Sequence, residues 1–322
     1  MTSNYNRSLN SNFIYDLKEG LLKPLLQRVK EDDTLMLALR GRYINIYYRG
    51  GALLKVEQNS QQYVVSFDHN YEKSTAQIPD YPTRITDDED VDELLSCIGS
   101  LKEIMNRYFT GNKKLEREYQ QLVVRENNQS SISNETEYFI VDIEAAGMTE
   151  AGNKSDARFD MLAVRWLTNE RQKSALVPVL IEMKYGTGAL KGTAGIIKHQ
   201  KDAEKLLGNT ALWNKVVDDL EIQINQLDDL GLLTYNRSTR VEKLSINRQE
   251  KPELIFLLAN YNPRSTEIKA VLEDLSAANN PTTYELLFAT SSFMGYGLHS
   301  ANMLNLEDFK IITARDKYQH KI

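Results

Sequence analysis

Apolar residues recur along this chain with two different periods, and the switches between them divide it into elements. Over 12–30, Phe13, Leu17, Leu21, Leu22, Leu25 and Leu26 form a stripe at helical spacing. Four short β-rich runs follow: TLMLAL, YINIYY, ALLKVE and YVVSF. Turns at Arg40-Gly41, Arg49-Gly50-Gly51 and Asn59-Ser60 part them, which predicts a four-stranded antiparallel meander. A Pro- and Asp-rich connector spans 79–90, with Asp88 as the expected cap of a helix to about Tyr108. Thr110-Gly111-Asn112 breaks that helix, and a second runs to about Arg125. After a polar loop at 127–136 come three predicted strands, EYFIVDIE, RFDMLAVRW and LVPVLIEMKYG. Amphipathic helices over 193–207 and 211–230 follow, then a buried strand over 254–261, a helix over 266–277 and a strand over 284–290. The pattern predicts a mixed α/β (α+β) chain with an N-terminal α+β region over 1–111 and a second domain over 112–322.

The candidate chemistry sits where the apolar strands end. Side chains alternate along a strand, so Glu182 and Lys184 share one face, opposite Val177, Val179, Ile181 and Met183. Asp160 shares its face with Leu162, Val164 and Trp166. The polar residues 168–174 close a hairpin, and in an antiparallel pair the start of one strand lies beside the end of the next. Asp160 therefore falls beside Glu182 and Lys184. On the preceding strand Phe139, Val141 and Ile143 are expected on one face, with Asp142 and Glu144 on the other, and Glu144 lands beside Asp160.

Carboxylates crowded in this way repel one another unless a cation neutralises them. Oxygen ligands suit Mg²⁺ or Mn²⁺, which keep several waters and bridge to phosphate. Glu144, Asp160 and Glu182 are the expected metal ligands. A lysine beside such an ion can orient the attacking water or stabilise charge building on phosphorus, and Lys184 is placed for that.

Asp160 followed by Glu182-Met183-Lys184 on the next strand resembles the PD-(D/E)XK nuclease superfamily. The resemblance covers about 113–261. It implies a restriction-endonuclease-like α-β-β-β-α-β core, a central mixed sheet flanked by helices, with Asp and Glu as metal ligands and Lys as the catalytic amine. Phe159 stands where the family's motif has Pro. The family's polar residue on the helix after the lysine strand is matched by Gln200, which follows the stripe Ile196, Ala203, Leu207 toward the sheet. Its acid on the helix before the first strand is best matched by Glu118. The implied activity is metal-dependent phosphodiester hydrolysis, most simply by a DNA endonuclease. RNA as substrate and a catalytically inactive binding or scaffold protein stay open, as do a homodimer and a protein partner.

Composition narrows this only a little. A net charge of −6 over 322 residues argues against broad nucleic-acid affinity. Local basic groups remain: Arg158 at the start of its strand, and Lys191, Lys198 and Lys201 after Lys184. His199, off the apolar stripe, is expected to be exposed and within reach of phosphate. The loop from Gly186 to Gly192 lets backbone amides and Lys191 approach a phosphate, although it matches no standard nucleotide-binding spacing. Arg40, Arg42 and Arg49 with Tyr43, Tyr47 and Tyr48 offer charge and stacking for a nucleic-acid strand, or else simply core. The lone Cys97 sits in a helical pattern, excludes an intrachain disulfide and fits a reducing cytoplasm. The polar start Met1-Thr-Ser-Asn-Tyr predicts no secretory leader, and no apolar run is long enough to span a bilayer.

Overall fold

The computed structural model describes residues 5–60, 62–73, 78–148, 157–192, 194–236, 241–277, 281–291 and 297–314. The N-terminal half comprises α1 (Ser11–Lys18), α2 (Lys23–Glu31), β1 (Leu35–Leu39), β2 (Tyr43–Tyr48), β3 (Gly51–Asn59), β4 (Gln62–Ser66), α3 (His69–Glu72), β5 (Arg84–Ile85) and α4 (Asp88–Gly111). Two departures from the sequence pattern appear there. The single helix expected over 12–30 is two, because Pro24 opens α2 and Gly20 packs so closely on Asp16 that a side chain would collide. The connector supplies a fifth strand: Arg84 and Ile85 pair with Val64 and Tyr63, giving an antiparallel sheet in the order β1-β2-β3-β4-β5. The cap of α4 is Asp87, whose side chain accepts the Asp90 N–H at 3.1 Å, one residue before the expected Asp88.

The second half runs α5 (Leu115–Asn128), β6 (Tyr138–Met148), β7 (Ala157–Arg165), β8 (Val177–Tyr185), α6 (Ile196–Gly208), α7 (Thr210–Asp229), β9 (Glu253–Ala259), α8 (Thr266–Ala277), β10 (Glu285–Ser291) and α9 (Leu306–Ala314). Its sheet is mixed, in the order β10-β9-β8-β7-β6. The β6-β7-β8 meander is antiparallel, while β8, β9 and β10 are parallel. Parallel neighbours need crossovers, and α6, α7 and α8 provide them. A central strand buried on both faces reads as a continuous apolar run, and β8 is buried from Val177 to Lys184.

Leu162, Val164, Leu180, Leu254, Phe256 and Phe288 face one way, into a cluster shared with α6, α7 and α8. Met161, Ala163, Val179, Ile181 and Met183 face the other way, against Val123 and Val124 of α5. The second cluster also takes in Met36, Ala38 and Tyr47 of the first sheet. The opposite face of that first sheet (Leu35, Leu37, Leu39, Ile44) belongs to the large cluster that includes α1, α2 and α4. Apolar packing thus crosses the 111/112 boundary expected between two domains.

Charges cross it as well. Arg40 is buried and ion-paired to Asp142 of β6; it also donates to the Ile143 carbonyl at 2.8 Å and the Tyr47 hydroxyl at 3.2 Å. Burial works against its charge, but Asp142 and Tyr47 outweigh that and hold its pKa above the usual arginine value. The Arg7 and Ser8 amides donate to Asp219 of α7 at 2.8 and 3.2 Å. Tyr43 is half-buried, Tyr47 and Tyr48 are buried, and Arg49 is held by Glu118 and Asn106. Of the Arg/Tyr set read as a strand-binding surface, Arg42 alone is exposed, so most of that set is core and interface. Among the described residues no helix is long and apolar enough to cross a membrane.

Candidate active site

The site forms where β7 and β8 part. Their ladder runs from Arg165–Val177 to Met161–Ile181 and stops, although β8 continues to Tyr185 alongside β9. Beyond that point side chains take over the backbone's hydrogen bonds. Asp160 accepts the Met183 N–H at 2.9 Å, and Glu182 accepts the Asp160 N–H at 3.4 Å. The two carboxylates are thereby tied to each other's strands, at the strand ends where the sequence pattern placed them.

Glu182 and Lys184 are both buried, at 2% and 3% exposure. The Lys184 ammonium is enclosed and lies 2.5 Å from Glu182 Oε1. A buried ion tolerates this only when paired, and here each supplies the other's partner. His199, expected to be exposed, is half-buried on α6 with Nε2 2.9 Å from the same Glu182 oxygen. Its Nδ1 is buried without a partner among the described residues. Gln200 does face the sheet and is buried, but its amide donates to the Tyr284 hydroxyl at 3.2 Å; it braces α6 and does not touch the acids.

Asp160 is the carboxylate of the site whose titration is perturbed. Burial first, and then the Glu182 charge, push its pKa well above the usual carboxylate range. Lys184 and the Met183 amide oppose this, while Glu116 adds to it. Glu116, on α5, accepts the Tyr185 N–H at 3.2 Å, and the Tyr119 and Tyr185 rings pack with centroids 4.9 Å apart. The third acid near Asp160 is therefore Glu116, two residues before Glu118, which binds Arg49 at 2.9 Å.

Glu144 is the main displacement from the expected set. It lies between the Ile143–Met161 and Ala145–Phe159 pairs, across from Asp160 as anticipated. A bulge between Ile140 and Asp142 breaks the alternation of β6, so Ile143 faces away from Phe139 and Val141. Glu144 itself is left-handed, with φ 49°, and its carboxylate turns to Arg117 at 2.6 Å and Arg158 at 3.1 Å. It is engaged by arginines, and not by the other two acids. Lys191, Lys198 and Lys201 are exposed, with Lys198 paired to Asp202, and Gly186 and Gly192 are left-handed in the loop after β8. Among the described residues no three His, Cys, Asp or Glu side chains stand ready around one point for a metal ion.

The arrangement makes a stability prediction. A group whose pKa is raised on folding favours the fold below its unfolded pKa, near ~3.9 for Asp, and that contribution is lost as pH rises through the raised value. In chelator, Asp160→Asn is expected to raise the melting temperature by a few degrees at pH 8, with the gain vanishing toward pH 4. Thermal melts across that range check it; a gain that grows in acid would reverse the sign of the argument.

Comparison of the chain with protein-family models, with curated proteins and with solved structures finds no match.

Proposed function

We propose that this protein is a metal-dependent nuclease that hydrolyses phosphodiester bonds, most simply a DNA endonuclease, with Asp160, Glu182 and Lys184 at its centre. The observation that carries the reading is the convergence of Asp160 and Glu182 with a buried lysine where β7 and β8 part. Structural ion pairs do not require two carboxylates to be pressed together with one raised pKa; functional sites do so regularly. The order α5-β6-β7-β8-α6-α7-β9, with one helix added before β9, is compatible with the α-β-β-β-α-β core that the PD-(D/E)XK resemblance implies.

The donor set fits Mg²⁺ or Mn²⁺. Asp160 and Glu182 would hold the ion and Glu116 borders them; one or two carboxylates with water and a phosphate oxygen suffice for Mg²⁺. Such an ion supplies Lewis-acid stabilisation of charge on the phosphoryl oxygens. The chain's own part is positional. Met183 and Asp160 amides fix the two carboxylates, Lys184 places a cation at the strand end, and His199 holds Glu182 from the helix side. Lys184 thus serves as a fixed positive charge for the scissile phosphate.

A second reading, a nuclease-fold binding protein without turnover, draws on one observation: Glu182 Oε1 is already occupied by Lys184 and His199. Incubation with plasmid, linear DNA and RNA in Mg²⁺, Mn²⁺ or EDTA separates the two. The nuclease reading expects cleavage that needs the cation and disappears in Asp160→Asn. Calorimetry should show cation binding in the parent and its loss in that variant. Nucleic-acid binding with no cleavage of any substrate would favour the second reading.

A further inference from the structure

Arg117 and Arg158 are the cations of the site's rim that the catalytic reading leaves without a task. They come from different elements, yet both guanidiniums converge on one oxygen, Glu144 Oε1, at 2.6 and 3.1 Å. Each adjoins the acid cluster in sequence: Arg117 follows Glu116, and Arg158 precedes Asp160 by two residues. Both are accessible, with side chains 39% and 54% exposed, against 21% for Glu144. A phosphate oxygen accepts the same charge-assisted guanidinium hydrogen bonds as a carboxylate oxygen, so what these two arginines offer Glu144 they can offer a phosphate. Exposed ion pairs of this kind stabilise a fold little. Glu144 nevertheless occupies left-handed backbone, which disfavours any residue with a side chain. The Tyr47 hydroxyl, 3.4 Å from Glu144 Oε2, steadies the carboxylate from the first sheet.

We propose that Arg117 and Arg158 form a phosphate clamp at the entrance to the acid site, and that Glu144 fills the clamp in the free protein as an internal mimic of the nucleic-acid phosphate. The proposal rests on the nuclease reading for the identity of its ligand. A strand reaching Asp160 and Glu182 displaces the Glu144 carboxylate and places a backbone phosphate between the two arginines. The clamp also explains how a chain of net charge −6 offers nucleic acid a local positive point beside three carboxylates.

The test is fluorescence anisotropy with labelled duplex DNA, single-stranded DNA and single-stranded RNA. It uses the whole 322-residue chain carrying Lys184→Ala to slow cleavage, in Mg²⁺, over a range of salt. Glu144→Gln removes the competing charge and is expected to tighten binding by about 3- to 10-fold. Arg117→Gln and Arg158→Gln are each expected to weaken it by about 5- to 30-fold. Each should also make the slope of log K against log salt shallower by about 1, which a purely structural brace would not do. Glu144→Gln binding no tighter than its parent overturns the clamp. So does Arg158→Gln with unchanged affinity and slope in a chain that melts like its parent, or a protein that binds none of the three probes at low salt. Failure of the nuclease reading is seen separately, as absence of cleavage by the unsubstituted protein.

Discussion

Lys184→Ala is expected to reduce cleavage by about 10²–10⁴-fold, the loss usual for one positioned catalytic group. The lysine is enclosed beside Glu182, so its charge acts in a poorly screened setting and cannot be replaced by solvent. The same enclosure adds an effect on the fold. Without the ammonium, Glu182 keeps only the His199 imidazole beside that oxygen, and the metal-free variant should lose roughly 2 kcal/mol of stability. Mg²⁺ should restore that stability, because the ion takes the place of the missing charge. Lys184→Arg keeps the charge but is too large and too planar for the buried slot, so it should rescue activity poorly. Single-turnover cleavage and melts with and without Mg²⁺ measure all three effects. A Lys184→Ala protein that cleaves like its parent would sink the proposed mechanism.

The largest stability effect is expected far from the chemistry, at Arg40. Arg40→Met keeps much of the side-chain volume but strips Asp142 of its nearest cation, leaving Arg7 at 3.6 Å and the Tyr5 hydroxyl at 3.2 Å. Breaking a buried pair from one side costs about 3–5 kcal/mol, because the remaining charge stays buried. For a chain of this size the melting temperature should fall by roughly 5–15 °C. The Ile143 carbonyl also loses its donor, next to Glu144, so the clamp should loosen together with the fold. A shift of under about 2 °C by calorimetry would show that the pair is relaxed by solvent.

Local alternation made the centre of the site legible. Glu182 and Lys184 are two residues apart on one strand, and a hairpin brings Asp160 beside them; each inference spans a short stretch of chain. Glu144 lies across from Asp160 as the pairing predicts, but the Ile140–Asp142 bulge and its own left-handed backbone turn its carboxylate to Arg117 and Arg158; apolar pattern does not reveal a bulge when both faces are buried. The acid of α5 was misplaced by two positions, about 200° of helix rotation, because Glu116 and Glu118 both lie on half-buried faces. His199 lies just off the apolar stripe, yet its ring reaches Glu182. The expected separation into two domains did not foresee Arg40–Asp142, since a buried charge pair across 102 residues leaves no local mark.

The tie between the Arg7 amide and Asp219 spans 212 positions of the chain. At ~5–20 residues per second, a ribosome adds the partner of that amide roughly 10–40 s after the amide itself. Until β6 is made, Met36, Ala38 and Tyr47 of the first sheet lack their partners on α5 and β6, and Arg40 lacks Asp142; the tie to Asp219 of α7 closes last. The nascent chain therefore presents an unfinished β-surface over that interval, in which a holdase or a second nascent copy can seize it. Synonymous changes that slow translation between α5 and α7 should lengthen that exposure and lower the soluble yield without altering one atom of the finished protein.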